Sequence, residues 1–165
     1  MWPKKRTHCF ASISFASMKL RRSWPTASAA KGWCSTSAEL RRTLDHLGRA
    51  IERLKEALAE PPTNPLALDG TIKRFEFTIE LFWKAMKRRL AIEGVETGTP
   101  RDALRGAYGA GWIDDETPWL DMLRARNETS HAYNEALARA IYDRVRGYIG
   151  AMERVFTALR GDSRA

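Results

Sequence analysis

Between residues 40 and 58, Leu40, Leu44, Leu47, Ile51, Leu54 and Leu58 recur at alternating steps of four and three. An α-helix turns once every 3.6 residues, so these steps put all six side chains on one seam. A chain carrying that seam must bury it against other helices, as in a bundle. Thr36, with Glu39 three residues later, reads as a capping box and sets the expected helix start, while Pro61-Pro62 stops the helix.

The same pattern continues downstream. Asp69 is the expected cap of a second helix, whose apolar face holds Ile72, Phe75, Ile79, Phe82, Trp83, Met86 and Leu90. Gly94 suits a left-handed stop. Thr99-Pro100-Arg101-Asp102 supplies a cap, a proline at the first helical position and an acid in the first turn; that short helix should end near Gly109 or Gly111. Thr117-Pro118-Trp119 repeats this start signal. A last helix carries Tyr133, Leu137, Ile141, Val145, Tyr148, Met152, Val155 and Leu159, and no stretch shows the period of two that a strand requires. These patterns predict an all-α, antiparallel up-and-down bundle of four to five helices over residues 36–160.

The length of 165 residues allows one domain with a single core. Two cysteines, Cys9 and Cys34, form neither a metal-ligand cluster nor a disulfide framework, so no metal and no cofactor are expected. The net charge of +8 is unevenly placed: residues 1–38 hold seven bases and no acid, and the remainder holds 21 bases against 20 acids. The basic balance therefore belongs to the first residues and is no argument for a broad nucleic-acid-binding face on the domain. Residues 1–35 lack periodicity and are expected to be a disordered basic tail. A transit peptide, or upstream sequence ahead of a true start at Met18 or later, fits the same acid-free composition. A signal peptide fits worse, because Lys19, Arg21 and Arg22 stand where cleavage should occur. The near-apolar run 9–18 is too short and serine-rich to span a bilayer, and a cytoplasmic location is expected.

The segment richest in chemistry is Arg126-Asn127-Glu128-Thr129-Ser130-His131-Ala132-Tyr133. On one continuous helix Arg126 and Tyr133 share a face, but His131 lies about 140° around from Arg126. Either the helix breaks around residues 128–130, or a second copy of the chain completes the site. Taken alone, an Arg, a His and a Tyr on a polar helix start are most often solvated surface. On the second helix, Glu76, Glu80, Lys84 and Lys87 stand at steps of three and four, the spacing of helix-face ion pairs. Arg74, Glu80 and Lys84 are the candidates for a ligand groove or partner interface. His46, between two seam leucines, reads as a flanking residue.

Arg126 through Tyr133 fit the R-x-x-x-x-H-x-Y motif of HEPN proteins paired with minimal nucleotidyltransferases. Arg74-Phe75-Glu76-Phe77-Thr78-Ile79-Glu80-Leu81-Phe82-Trp83-Lys84 resembles the R-F-E-F-x-x-E-L-x-W-K stretch of the nucleotidyltransferase substrate-binding branch of that superfamily. Thr99-Pro100-Arg101, Gly111 to Ile113, Trp119 and Arg126-Asn127 fall on further positions of the same pattern, so the resemblance covers about residues 37–160. It implies a metal-independent ribonuclease, the toxin of a toxin–antitoxin pair, in which the RNA 2′-hydroxyl attacks the adjacent phosphate. His131 would move the proton, Arg126 would hold the phosphate, and Asn127 would bind phosphate or orient His131. Tyr133 matches the tyrosine onto which the partner nucleotidyltransferase, the antitoxin, transfers AMP. The resemblance also implies a homodimer with composite sites. The rival expectation is a non-catalytic subunit that binds a nucleotide or another substrate for that partner.

Overall fold

The computed structural model describes residues 27–131 and 135–161, and every regular element among them is helical. Five α-helices follow in order: α1 (Ala27–Ala59), α2 (Pro65–Ile92), α3 (Pro100–Gly109), α4 (Glu116–Glu128) and α5 (Glu135–Gly161), with a 3-10 turn (Thr129–His131) after α4. The 27 residues of α5 span about 40 Å.

The leucine seam behaves as its spacing requires. Leu40, Leu44, Leu47, Ile51 and Leu54 are buried and Leu58 packs against the core from its edge. Cross-helix contacts fix the topology. Arg88 of α2 donates to Thr43 of α1, whereas Thr71, near the other end of α2, donates to the Ala57 carbonyl, so α1 and α2 run antiparallel. The Lys55–Glu153 ion pair (3.0 Å) and the bonds from Tyr142 to the Leu58 and Glu60 carbonyls (3.2 Å each) set α5 antiparallel to α1. Phe75 of α2 meets Tyr148 of α5 with ring centroids 6.0 Å apart, and Phe82 meets Trp119 of α4 edge-on at 5.0 Å. The up-and-down bundle is therefore present, and its core lies where α2 faces the other four helices.

Several helix starts differ from expectation. Helix α1 begins at Ala27, so Thr36 and Glu39 lie inside it rather than at its cap. Alanines at 27, 29 and 30 are strong helix formers, and propagation from the long seam carries the helix back through them. The expected tail 1–35 thus overlaps α1 over residues 27–35, and residues 1–26 lie outside those described. Helix α2 begins at Pro65 under an Asn64 cap, whose Oδ1 accepts the Leu66 amide at 3.0 Å; Asp69 is one turn inside. Asp115, not Thr117, caps α4 and accepts the Thr117 amide at 2.8 Å.

Other stops and starts match. Thr99 and Asp102 form a reciprocal capping box on α3. Gly94 and Gly111 have φ of 82° and 75°. After each, the next residue bonds back to a carbonyl five positions earlier: Val95 N–H to Leu90 O at 2.8 Å and Trp112 N–H to Ala107 O at 3.0 Å. These are Schellman stops, which need a residue tolerant of positive φ. Trp83, expected in the core, is only half-buried, and Phe77 of the same helix is 57% exposed.

Candidate active site

The end of α4 is where the chemistry-bearing segment leaves helical geometry. In an unbroken helix the carbonyls of Arg126 and Asn127 would accept the amides four residues on. Here each of these carbonyls also takes a side-chain bond, from the Thr129 hydroxyl to Arg126 at 2.6 Å and from the Ser130 hydroxyl to Asn127 at 2.9 Å. Beyond Glu128 the chain tightens into the 3-10 turn Thr129–His131. Of the two alternatives the sequence leaves open, a departure from the α-helix around residues 128–130 is present. His131 closes that turn, five residues beyond Arg126 but no longer on a continuous α-helix with it.

Two polar clusters pin the break in place. On the α2 side, Thr129 is buried and its hydroxyl bonds to the Glu76 carboxylate, which also accepts from Lys73 at 2.9 Å. Burial pushes the Glu76 carboxyl up, but the bonds from Lys73 and Thr129, with the charges of Lys73 and Arg126, outweigh it and hold the group below its usual value. On the α5 side, Arg144 reaches Glu128 at 2.6 Å and Asp121 at 2.7 Å, and its Nε lies 3.2 Å from the Tyr148 hydroxyl. Tyr148 in turn donates to Asp121. That bond, followed by the one from Arg144, keeps the Asp121 carboxyl low against a burial effect that raises it. Burial and the adjacent Asp121 push Tyr148 up to about 12. Glu128 is the last residue of α4, so this cluster clamps the helix end that carries Arg126.

Arg126 is exposed in the last turn of α4, where a cation complements the negative end of the helix dipole. Its charge reaches across to α2 and favours the ionised forms of Glu76 and Glu80. Glu80 accepts from Lys84 at 3.0 Å and from the Trp83 indole N–H at 2.8 Å. These bonds and the charges of Lys84 and Arg126 overcome the upward push of burial on its carboxyl. Glu80 and Lys84 thus lie on the face of α2 that opens towards Arg126. Arg74 does not: it donates to the Arg53 carbonyl and pairs with Glu56 at 3.7 Å, both on α1. The trio Arg74, Glu80 and Lys84 therefore splits, with Arg74 serving the α1–α2 contact.

Asn127 is exposed beside Arg126. The side chain of His131, and Ala132, Tyr133 and Asn134 entirely, lie outside the described residues, so the predicted roles of His131 and Tyr133 rest on their places in the chain. His46 is exposed on α1. Among the described residues, no group of three or more His, Cys, Asp or Glu is placed to hold a metal ion, and no helix is long and apolar enough to cross a membrane. Sequence reasoning missed the Arg144 cluster and the Glu76–Thr129 bond. Apart from Arg144 and Tyr148, one turn apart on α5, their partners lie 16 to 53 residues apart along the chain, beyond any local spacing rule.

Comparison with known proteins places this arrangement. The family model described as "nucleotidyltransferase substrate binding protein like" matches residues 42–161. A crystal structure of a Thermus thermophilus protein superposes with a TM-score of 0.64 at 39% identity, covering 69% of this chain and 98% of that one. A Haemophilus influenzae structure, described as revealing the fold of a substrate-binding domain of a nucleotidyltransferase, superposes with a TM-score of 0.65 at 28% identity, over 71% of this chain and 98% of that one. A curated Haemophilus influenzae relative named "Probable ribonuclease HepT" is 35% identical over 85 residues, 48% of this chain; the match spans 58% of that relative's length. The chain belongs to the nucleotidyltransferase substrate-binding protein family, the branch of the HEPN superfamily that its motifs resemble.

Proposed function

We propose that this protein is a metal-independent ribonuclease, the toxin of a toxin–antitoxin pair whose antitoxin is a minimal nucleotidyltransferase. The observation that carries the reading is the clamped break after α4: it presents Arg126 on the final turn of a helix and ends on His131 in the next turn. Arg126 has the fixed fork of donors suited to a phosphate and to the charge that builds on phosphorus during attack by the 2′-hydroxyl. His131 moves the proton, a task matched to its near-neutral reference pKa and worth about 10²–10⁴ in rate. Asn127, next to Arg126, binds the same phosphate or orients His131. The name of the curated relative, a probable ribonuclease, supports this assignment.

Regulation follows from the same segment. Transfer of AMP to Tyr133 places a bulky anion two residues from His131 and seven from Arg126, competing with the phosphate by charge and volume. The working form is a cytoplasmic homodimer in which two copies of the turn complete one composite site.

A second reading has its own support. The Haemophilus influenzae structure is described as a substrate-binding domain of a nucleotidyltransferase, and on that model Arg126 and His131 only grip a nucleotide or phosphate for the partner. Incubation with RNA in chelator separates the two. Cleavage by the parent, lost in Arg126→Ala and in His131→Ala, supports the nuclease; no cleavage by the parent supports the binding subunit. Incubation with the nucleotidyltransferase and ATP, followed by mass spectrometry, tests the switch: added AMP belongs on Tyr133, and transfer elsewhere with Tyr133 unmodified refutes it.

A further inference from the structure

A bundle of this size has reason to bury its tryptophans, yet Trp83 is left half-exposed on α2. Its position is defined on two sides. The indole N–H is fixed to Glu80 at 2.8 Å, and the Lys84 ammonium stands 5.9 Å from the ring centroid. The ring shares a face with Glu76, Glu80 and Lys87, which recur at steps of four, three and four. One end of that stripe is the active turn, because Glu76 is bonded to Thr129. The other end is α3, because Leu90, one turn beyond Lys87, lies against Gly106. Trp83 is seven residues from Glu76, about 10 Å along the helix.

The charge along the stripe favours an anion. Glu76 and Glu80 are each neutralised by a lysine, Lys73 at 2.9 Å and Lys84 at 3.0 Å. Arg126 at the turn and Lys87 beyond Trp83 are both exposed, and neither forms an ion pair within 4.0 Å among the described residues. Four cations against two carboxylates leave the stripe at +2. A rigidly held aromatic ring between exposed cations is what sequence-tolerant single-strand binding uses, since every base has a face to stack and every linkage a charge to pair.

We propose that Trp83 is a stacking platform for a base of single-stranded RNA and Lys87 a contact for the adjoining phosphate, so that this face of α2 leads the strand to Arg126. Trp83 and Lys87 are positioning residues here, and the inference rests on the ribonuclease reading while extending it to the class of RNA taken. Single strands can lay an unstacked base on the ring, whereas a duplex keeps its bases inside.

The test measures binding of the full chain to a fluorescent, fully 2′-O-methylated oligouridine, which cannot be cleaved through its 2′ positions. Trp83→Ala should weaken binding about tenfold or more and Trp83→Phe much less, because the ring is kept. Lys87→Gln should lower the slope of log affinity against log salt by about 0.7, the loss of one phosphate contact on a single strand. Trp83→Leu, which keeps apolar volume without an aromatic face, replaces the alanine variant if that variant unfolds. With unmodified RNA, these changes should appear in KM and leave kcat near the parent's. Equal affinity of the parent and the Trp83→Ala or Trp83→Leu variant overturns the proposal. So does a variant that keeps its RNA affinity but is no longer modified by the nucleotidyltransferase, which would assign the ring to protein docking. No affinity of the parent for the oligouridine overturns it as well. The ribonuclease reading is judged separately by cleavage of unmodified RNA and its loss in Arg126→Ala, so either idea can fail without the other.

Discussion

Replacing Arg144 with methionine keeps most of the apolar stem and removes the guanidinium that joins α4 to α5. In the parent that group bonds to Glu128 at 2.6 Å and to Asp121 at 2.7 Å. The side chain is 29% exposed, against 37% for Asp121 and 33% for Glu128. Fully buried, each charge-assisted bond would contribute about 1.5–3 kcal/mol, and a fully exposed pair about 0.2–1 kcal/mol. Partial exposure puts each of these near 1 kcal/mol, so the variant should lose about 2 kcal/mol. For a chain of this length that lowers Tm by roughly 4–8 °C.

The pH dependence has a definite sign. The Asp121 carboxyl is held below its usual value by the bonds from Tyr148 and Arg144. Its contribution is complete above the unfolded carboxylate value of about 4 and disappears as pH falls through the lower folded value. Thermal melts followed by circular dichroism should therefore show a parent–variant gap that is constant from neutrality down to about pH 5 and narrows in stronger acid. A gap below about 1 °C at neutral pH, or one that persists unchanged in acid, would refute the account of the cluster.

Other expectations can be checked with single variants. Thr129→Val keeps the side-chain shape but removes the hydroxyl shared by Glu76 and the Arg126 carbonyl; kcat for RNA cleavage should fall by more than the accompanying loss of about 1 kcal/mol in stability explains, as measured by kinetics beside a melt. Gly94→Ala forces a Cβ into a backbone with φ of 82° and should cost about 1–2 kcal/mol in urea unfolding with activity retained. In alkali, Tyr148 is held up to about 12 in the folded state against about 10 unfolded, so its contribution is complete below about 10 and is lost as pH rises towards 12. Tyr148→Phe should therefore lose less stability than the parent across that window in alkaline melts.

The parts legible in sequence are those decided by local spacing. Steps of four and three find the α1 seam, Gly94 and Gly111 mark the stops that positive φ requires, and Thr99-Pro100-Arg101-Asp102 announces a real capping box. The misplaced starts show where local rules compete. Asn64-Pro65 has the same cap-and-proline form as Thr99-Pro100, and it outranks Asp69 because Asn64 captures the Leu66 amide first. Asp115 wins over Thr117 by capturing the Thr117 amide itself. Trp83 falls outside the core, against its place in the apolar pattern, because a helical stripe does not state how far around the helix its neighbours reach. The site is half legible. Arg126 and the break stand in the local sequence, but the clamp through Glu76, Asp121 and Arg144 joins helices by tertiary contact, and no spacing within one helix encodes it.

The central claim is that Arg126 and His131 act on one phosphate without a metal. Its most direct test is end-group analysis of RNA cut by the purified protein in excess chelator. Attack by the 2′-hydroxyl predicts 2′,3′-cyclic phosphate and 5′-hydroxyl ends, no cut at a position bearing a 2′-deoxy substitution, and no products from Arg126→Ala or His131→Ala. Intact RNA after incubation with the parent, or products that persist in either variant, would contradict it.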